Sequence, residues 1–179
     1  MKPKLFEKNL ALLILVFLLT SCSEKMIPLN TVAHVDIDKY LGKWYEIARL
    51  PNSFEKGLIC CTAEYSLRED GKIKVLNSGH KESNPEKIES ATGKAWIPNE
   101  SIISQLKVEF FWPFRGDYYI FHLDDDYQYV LVGAPNRKYL WLLSRTAFIE
   151  DSLYNHLLQV AKDNSFNVST IYKTPQNCD

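Results

Sequence analysis

The sequence has no excess of either charge, little glycine or proline, and a single long apolar run. Its 179 residues include 21 Lys and Arg against 22 Asp and Glu, without a basic cluster on any predicted surface. A nucleic-acid-binding surface needs such a cluster, so that class of function is excluded. With 7 Gly, 8 Pro and 46% hydrophobic residues, a disordered or collagen-like chain is excluded as well. One folded domain is expected.

The residue patterns of common catalytic and metal sites are also missing. The histidines occur singly in different predicted elements, without the His-x-x-x-His or Cys-x-x-Cys spacing of metal ligands. Cys60 and Cys61 are adjacent, which is poor geometry for two ligands of one ion. The sequence has neither a Gly-x-Ser-x-Gly motif nor a glycine-rich phosphate loop. We therefore predict a protein without catalytic residues, metal site or cofactor.

The first 21 residues have the order of a secretory signal peptide. Lys2, Lys4 and Lys8 precede an apolar run at residues 10–19, which is too short to span a bilayer. Residues 19–22, Leu-Thr-Ser-Cys, resemble the bacterial lipobox, whose cysteine receives diacylglycerol before cleavage. We predict a lipoprotein signal peptide at 1–21, an acylated and palmitate-bearing Cys22, and a lipidated tether at 22–35. An ordinary secretory signal with an incidental cysteine is the alternative.

Short apolar or alternating segments recur along the rest of the chain at a spacing typical of antiparallel β proteins. We predict strands at 43–51, 61–68, 72–79, 87–97, 104–111, 117–123, 127–134 and 138–145. The short turns between them, such as Ser83-Asn84-Pro85, indicate that consecutive strands are neighbours. Residues 150–163 instead have apolar side chains at helical spacing, which predicts one amphipathic helix.

The first, seventh and eighth predicted strands are apolar on both faces. In the first strand, for example, Trp44 and Ala48 alternate with Tyr45 and Ile47. Another element must cover the outer faces of these strands, and the helix at 150–163 is the amphipathic element available. It can cover all three only if the first and eighth strands are neighbours, which requires a closed sheet. We therefore predict an all-β fold at 36–179: a barrel with one α-helix packed outside.

Three blocks of the sequence resemble motifs of the lipocalin family. Gly42-Lys43-Trp44 resembles its opening Gly-x-Trp motif, residues 124–129 its second block and residues 142–145 its third. Leu123 and Gln128 depart from the second block, where many relatives have Thr and Asn. With the lipobox, the chain is most similar to bacterial outer-membrane lipoprotein lipocalins and the apolipoprotein D group. This resemblance implies an eight-stranded antiparallel up-and-down barrel with a ligand cavity.

The resemblance also implies roles for particular residues. Gly42, Trp44 and Arg145 are expected to be structural, with the Arg145 cation lying across the Trp44 ring at the closed end of the barrel. A disulfide between Cys60 and Cys178 is implied because apolipoprotein D relatives have a cysteine at both positions. Strand alternation, which leaves Cys60 outward and Cys61 inward, is consistent with that pairing.

Alternation and the match to the family together predict which side chains line the barrel. The ligand-binding set is Tyr65, Asn77, Phe110, Tyr118 and Trp141, with Val75, Val108 and Leu131 as the apolar wall. Strand six leaves two inward sets open, either Tyr118, Ile120 and His122 or Tyr119, Phe121 and Leu123. Many aromatics and few charges favour a pocket for a chain or ring. A barrel filled by its own side chains is the alternative.

These expectations combine into one functional hypothesis, a lipid-anchored lipoprotein of the cell envelope and outer membrane that binds small amphiphiles. Fatty acids and lysophospholipids are favoured because a fully apolar lipid gains nothing by leaving a bilayer for a barrel. A carrier of heme, pigment or a sterol-like ring, a packed structural lipoprotein, and a small isomerase or esterase activity inside the barrel remain alternatives. The side of the outer membrane and the oligomeric state, including a homodimer, stay open.

Overall fold

The computed structural model describes residues 27–178. The predicted signal peptide and the predicted lipid anchor Cys22 lie outside these residues. The helices are α1 (Ile37–Tyr40) and α2 (Asp151–Asp163), with a short 3-10 turn at Val168–Thr170. The strands are β1 (Gly42–Arg49), β2 (Leu58–Leu67), β3 (Ile73–Lys81), β4 (Asn84–Trp96), β5 (Gln105–Phe111), β6 (Phe114–Leu123), β7 (Tyr129–Gly133), β8 (Leu140–Ser144) and β9 (Tyr172–Lys173).

Strands β1 to β8 form a closed antiparallel barrel in which each strand pairs with the next along the chain. Closure comes from β1, where Trp44 lies opposite Ala63 of β2 and Tyr45 lies opposite Ser144 of β8. The predicted eight-stranded up-and-down barrel is thereby confirmed. The loops after β1, β3, β5 and β7 lie at one end, which we call the open end. Helix α1 and the other hairpin loops lie at the closed end.

Helix α2 covers the outer faces of β1, β7 and β8, as the apolar pattern predicts. Leu157 and Ala161 are fully buried there, against Ile47 of β1 and Leu142 of β8. Burial of one such leucine side chain contributes about 1.5–3 kcal/mol, so the helix is held by its apolar stripe. None of the helices within residues 27–178 is long and apolar enough to cross a membrane.

Helix α2 and the outer faces of β1, β7 and β8 form a cluster of apolar side chains that we call the outer cluster. Leu131 belongs to it, so its predicted place on the cavity wall is wrong. The register between β6 and β7 gives the reason, because Val132 lies opposite Ile120, which points into the barrel. Val130 and Val132 therefore take the inward positions of β7. Alternation alone could not choose between two apolar faces.

Strand β6 changes its inward set partway along its length. Tyr118 and Ile120 point into the barrel near the middle, and Leu123 does so at the closed end. Tyr119 and Phe121 pack in the outer cluster instead. A register shift between Ile120 and His122 inserts one extra residue and reverses the alternation, as a β-bulge does. Each of the two predicted inward sets therefore holds for part of the strand.

The described part of the predicted tether packs against the barrel. Leu29 and Val35 are 4% and 1% exposed, and the amide of Val32 donates to the carbonyl of Ile120 at 3.0 Å. These residues are apolar but follow no helical or strand period, so the sequence carries no sign of their burial. The chain is bound to the barrel from Leu29 onward, and the division into domains at position 36 stays a prediction.

The C-terminal segment fills a gap in the barrel wall near the open end. Strand β1 pairs with β2 only as far as Tyr45 and Thr62, after which the two strands separate. Strand β9 lies in the gap, pairs with Ala48 and Arg49 of β1, and is followed by Thr174. The side chain of Gln176 joins both sides, because its Nε2 donates to the carbonyls of Glu46 and Cys61.

A disulfide fixes the end of this segment. Cys60 and Cys178 are bonded, with their Cα atoms 6.2 Å apart, which confirms the predicted pairing. The amide of Cys60 also donates to the carbonyl of Pro175 at 2.7 Å. Cys61 is a free and buried thiol. The tail is thus held to β2 by one covalent bond and by backbone pairing.

Candidate functional site in the barrel interior

Trp44 and Arg145 form the closed end of the barrel. The Arg145 guanidinium lies 3.9 Å from the Trp44 ring centroid, the contact that the family resemblance implies. It also donates to the backbone carbonyls of Lys39, Tyr40, Leu41, Lys43 and Tyr127. Gly42 has φ +91°, and a Cβ there would lie 3.4 Å from Arg145 Nη1. The motif therefore needs glycine for a positive φ and for the approach of the cation.

The second sequence block forms the turn between β6 and β7. The Asp124 carboxylate accepts hydrogen bonds from the backbone amides of Gln128 at 2.6 Å and Tyr129 at 2.7 Å. Every residue except proline has such a backbone donor. The departures at Leu123 and Gln128 therefore leave the turn hydrogen bonds in place.

Three tyrosine hydroxyls meet inside the barrel. The hydroxyl of Tyr118 lies 2.6 Å from that of Tyr40 and 2.8 Å from that of Tyr65. Burial raises the pKa of all three phenols above the ordinary value, so each is protonated at neutral pH. The two hydrogen bonds among them use two of the three hydroxyl hydrogens. One phenolic O–H is left to donate elsewhere. Tyr40, which comes from α1, was not predicted.

Asn77 has an unpaired acceptor in the barrel wall. Within residues 27–178, its Oδ1 is the buried side-chain oxygen or nitrogen that lacks a hydrogen-bond partner. By alternation Asn77 shares the inward face of β3 with Val75, which is 3% exposed. A buried acceptor without a partner costs about 1–3 kcal/mol. A ligand group that donates a hydrogen bond there would recover part of that cost.

Phe110 and Trp141 complete the predicted binding set. Both pack in the interior cluster that contains Tyr65 and Tyr118. Phe110 lies against Gly93 of β4, where a Cβ would come within 2.8 Å of its ring, so the missing side chain makes room for the phenyl group. The structure therefore brings the aromatic members of the set together, and their contact with a ligand stays a prediction.

A charged cluster that sequence analysis missed lies in the open half of the barrel. The Arg49 guanidinium, 4% exposed, contacts the Glu46 carboxylate and donates to the carbonyls of Glu55 at 2.8 Å and Leu58 at 2.9 Å. The Thr174 hydroxyl of the C-terminal segment also donates to Glu46, at 2.5 Å. Glu46 could have been noticed in the sequence, because it is charged and lies two residues from the inward-pointing Trp44, on the same face of the strand. A register shift between Glu46 and Ala48 reverses the alternation beyond it, so the inward position of Arg49 could not be predicted.

Two carboxylates share the single Arg49 cation. Burial and the negative charge of Glu55 raise the pKa of Glu46, and contact with Arg49 offsets this only in part. Burial likewise raises the pKa of the neighbouring Cys61 thiol to about 12, so the thiol is protonated at neutral pH. The cluster therefore holds one proton on a carboxyl group under conditions in which an exposed glutamate is ionised.

Replacing Glu46 by glutamine should reduce the loss of stability at higher pH. The folded protein keeps a proton on Glu46 that the unfolded chain loses near pH 4.5, so this stabilisation is complete below that pH and is lost as pH rises toward the folded pKa. Glutamine still accepts hydrogen bonds and does not titrate. From pH 5 to 8, the free energy of unfolding of Glu46→Gln should gain on that of the wild type by up to about 1.4 kcal/mol per pH unit, and thermal unfolding should show its melting temperature rising relative to the wild type. Parallel pH profiles would contradict this assignment.

Groups of three or more His, Cys, Asp and Glu that could hold a metal ion do not occur in residues 27–178. His122, the histidine of β6, stacks on Tyr129 with ring centroids 6.3 Å apart. Tyr129 packs in the outer cluster, so this imidazole lies outside the barrel interior. The interior thus combines aromatic and aliphatic walls with phenols, one amide and one charged cluster.

Comparison with known proteins places the fold and sequence in one family. Residues 35–176 match the family described as a lipocalin-like domain. Outer membrane lipoprotein Blc of Vibrio cholerae serotype O1 is 43% identical over 160 residues, covering 89% of this chain and 93% of that protein. Apolipoprotein D of Bos taurus is 32% identical over 151 residues, covering 80% of this chain and 78% of that protein.

Among solved structures, insecticyanin from the tobacco hornworm Manduca sexta superposes with a TM-score of 0.65 at 19% identity, covering 83% of this chain and 84% of that one. That likeness shows the fold. The envelope location expected from the sequence agrees with that of the Vibrio cholerae relative, which is named as an outer membrane lipoprotein. From the matched domain, the similar relatives and the barrel closed by Trp44 and Arg145, it follows that the chain belongs to the lipocalin-like family.

Proposed function

We propose that the protein is an outer-membrane lipoprotein, anchored through acylated Cys22, that carries fatty acids or lysophospholipids in its barrel. As a lipocalin it binds small hydrophobic ligands. The observation that supports this ligand class is the interior itself, where an unpaired Asn77 Oδ1 and a spare phenolic O–H stand among aromatic and aliphatic walls. A chain fits such walls, and an adjoining polar group fits such partners.

The polar groups of lysophospholipids match the unpaired groups of the barrel. The free glycerol hydroxyl of a lysophospholipid can donate to Asn77 Oδ1, and its ester carbonyl can accept from the spare tyrosine O–H. A heme ligated by histidine finds no support in β6, because His122 lies outside the interior.

The protein's lipid anchor and its proposed single-chain ligand differ greatly in how strongly they bind a bilayer. Two or three acyl chains hold a protein on a membrane almost permanently, whereas one chain of myristoyl length binds a bilayer marginally and reversibly. An anchored barrel therefore stays at the surface while single-chain amphiphiles leave the bilayer. Its interior offers them the same removal of methylene groups from water that the bilayer does.

Enlarging the interior residue Val75 should abolish lipid binding without unfolding the protein. Val75 is 3% exposed and lies opposite Tyr65 and Gly93 in the sheet. In a barrel with ligand space, the tryptophan of Val75→Trp enters that space and displaces the lipid. Equilibrium dialysis with labelled lysophosphatidylcholine should then show saturable binding by the wild type and none by the variant, with little change in melting temperature.

The matched control is Leu76→Trp, which adds similar bulk at the neighbouring position, outside the interior cluster. It should bind lipid like the wild type. If the interior were filled by side chains, Val75→Trp would instead overpack it and cost about 1–3 kcal/mol. Failure of the wild type to bind, together with a destabilised Val75→Trp variant, would identify a packed structural lipoprotein.

A further inference from the structure

We propose that the Glu55 carboxylate occupies the position of a ligand headgroup at the open end of the barrel, which we call the mouth, and that anionic headgroups displace it. The protein would then select single-chain amphiphiles with a carboxylate or phosphate over neutral ones. This inference rests on the proposed function, because it names the headgroup chemistry of the same site. It makes Glu55 a specificity-determining residue supplied by the loop between β1 and β2.

Glu55 is bound at the mouth by side chains that are also suited to an external anion. The indole Nε1 of Trp141 donates to its carboxylate at 3.0 Å, and Arg49 Nε lies 3.9 Å from the same oxygen. Asn52 Nδ2 donates to it at 2.5 Å. The side chain of Glu55 is 13% exposed although the residue belongs to a loop at the open end. Its carboxylate therefore sits among fixed donors and not in bulk solvent.

The charge of Glu55 acts on groups inside the barrel. Burial is the main cause of the raised pKa of both Tyr65 and Glu46, two residues of the interior, and the charge of Glu55 raises both further. The neighbouring Phe54 packs over the mouth, with its ring centroid 5.8 Å from that of Tyr139 and 6.3 Å from that of Trp141. Phe54 is nevertheless 60% exposed. The loop thus holds a largely buried carboxylate next to a mostly exposed aromatic residue.

Charge balance explains why an anion would replace Glu55. Glu46 and Glu55 both face the Arg49 cation, so the site already holds two carboxyl groups against one positive charge. A ligand carboxylate that entered beside Glu55 would add a further negative charge to a poorly hydrated site. If Glu55 moves out to solvent, the ligand anion takes over Arg49 and Trp141 and the local charge is conserved. A neutral headgroup that displaced Glu55 would return no negative charge to Arg49 and Trp141.

Glu55→Gln tests this exchange because glutamine keeps the size and hydrogen bonding of the side chain and removes its charge. Binding of labelled oleate, 1-oleoyl lysophosphatidate and the neutral 1-oleoylglycerol would be measured at pH 8, below the critical micelle concentrations. We expect the affinity for one or both anions to rise about tenfold, and that for 1-oleoylglycerol to change less than about twofold. A rise for oleate alone identifies a carboxylate site, and a rise for lysophosphatidate alone identifies a phosphate site.

The control is Glu82→Gln, which removes one negative charge from an exposed position in the β3–β4 turn at the same end. It should leave all three affinities unchanged, and Glu55→Ala should reproduce the gain of Glu55→Gln if the amide perturbs the loop. Equal changes for anionic and neutral lipids, no change, or a weaker affinity for the anions would overturn the inference. Lack of binding of any of these lipids by the wild type would instead contradict the proposed function.

Discussion

Removal of the disulfide by Cys60→Ser with Cys178→Ser is expected to lower the free energy of unfolding by roughly 4 to 5 kcal/mol. The bond closes a loop with a sequence separation of 118 residues, and a loop of that length loses this much conformational entropy in the unfolded chain. The melting temperature should fall by about 10 to 20 °C, measured by circular dichroism without reductant. The loss should be large because the tail that fills the gap between β1 and β2 is released as well.

Cys61→Ala provides the matched control for this experiment. It removes the adjacent free thiol and keeps the bond between Cys60 and Cys178. Its melting temperature should remain much closer to that of the wild type. Peptide mapping of the native protein should recover Cys60 linked to Cys178. A bridge through Cys61, or equal destabilisation by both changes, would refute the outward position of Cys60.

Arg145→Ala is expected to destabilise the protein by about 3 kcal/mol. The alanine loses the cation over Trp44, a contact worth about 0.5–2 kcal/mol, and leaves several backbone carbonyls at the closed end without their charged donor. The melting temperature should fall by about 6 to 12 °C. Lipid affinity should change much less than with Val75→Trp, because Arg145 lies at the end of the barrel opposite the mouth.

Two further variants separate the causes of this effect. Arg145→Lys keeps the positive charge but lacks the planar fork that reaches several carbonyls at once, so it should restore only part of the stability. Arg68→Ala removes an arginine of an exposed turn, whose side chain is 43% exposed and paired with Asp70, and should leave the melting temperature nearly unchanged. Full recovery by lysine would show that charge alone matters at position 145.

Much of the fold could be predicted because its signals are local. Alternation located all eight barrel strands, helical spacing located α2, and apolar residues on both faces of three strands required the helix to cover a closed sheet. The inward positions of Tyr65 and Val75 followed from the same alternation. These predictions depend on the side-chain periods of regular strands and helices, and such periods are visible in the sequence itself.

Features at strand irregularities could not be predicted in the same way. The bulge in β6 moves Phe121 and His122 outward and Leu123 inward, and the register shift in β1 brings Arg49 beside Glu46. Leu131 was misplaced because both faces of β7 are apolar. A bulge depends on how a strand pairs with its neighbours, so it cannot be predicted from the sequence of one strand.

Sequence patterns were sufficient to predict the barrel, the outer helix, the motif residues of the closed end and, through resemblance, the disulfide. The polar groups that meet in the interior could be identified only in the folded chain. The hydroxyls of Tyr40, Tyr65 and Tyr118 come from α1, β2 and β6, and the Arg49 cluster joins β1, the following loop and the C-terminal segment. Such contacts join residues far apart in sequence, so they form only when the sheet closes and places the ends of distant segments side by side.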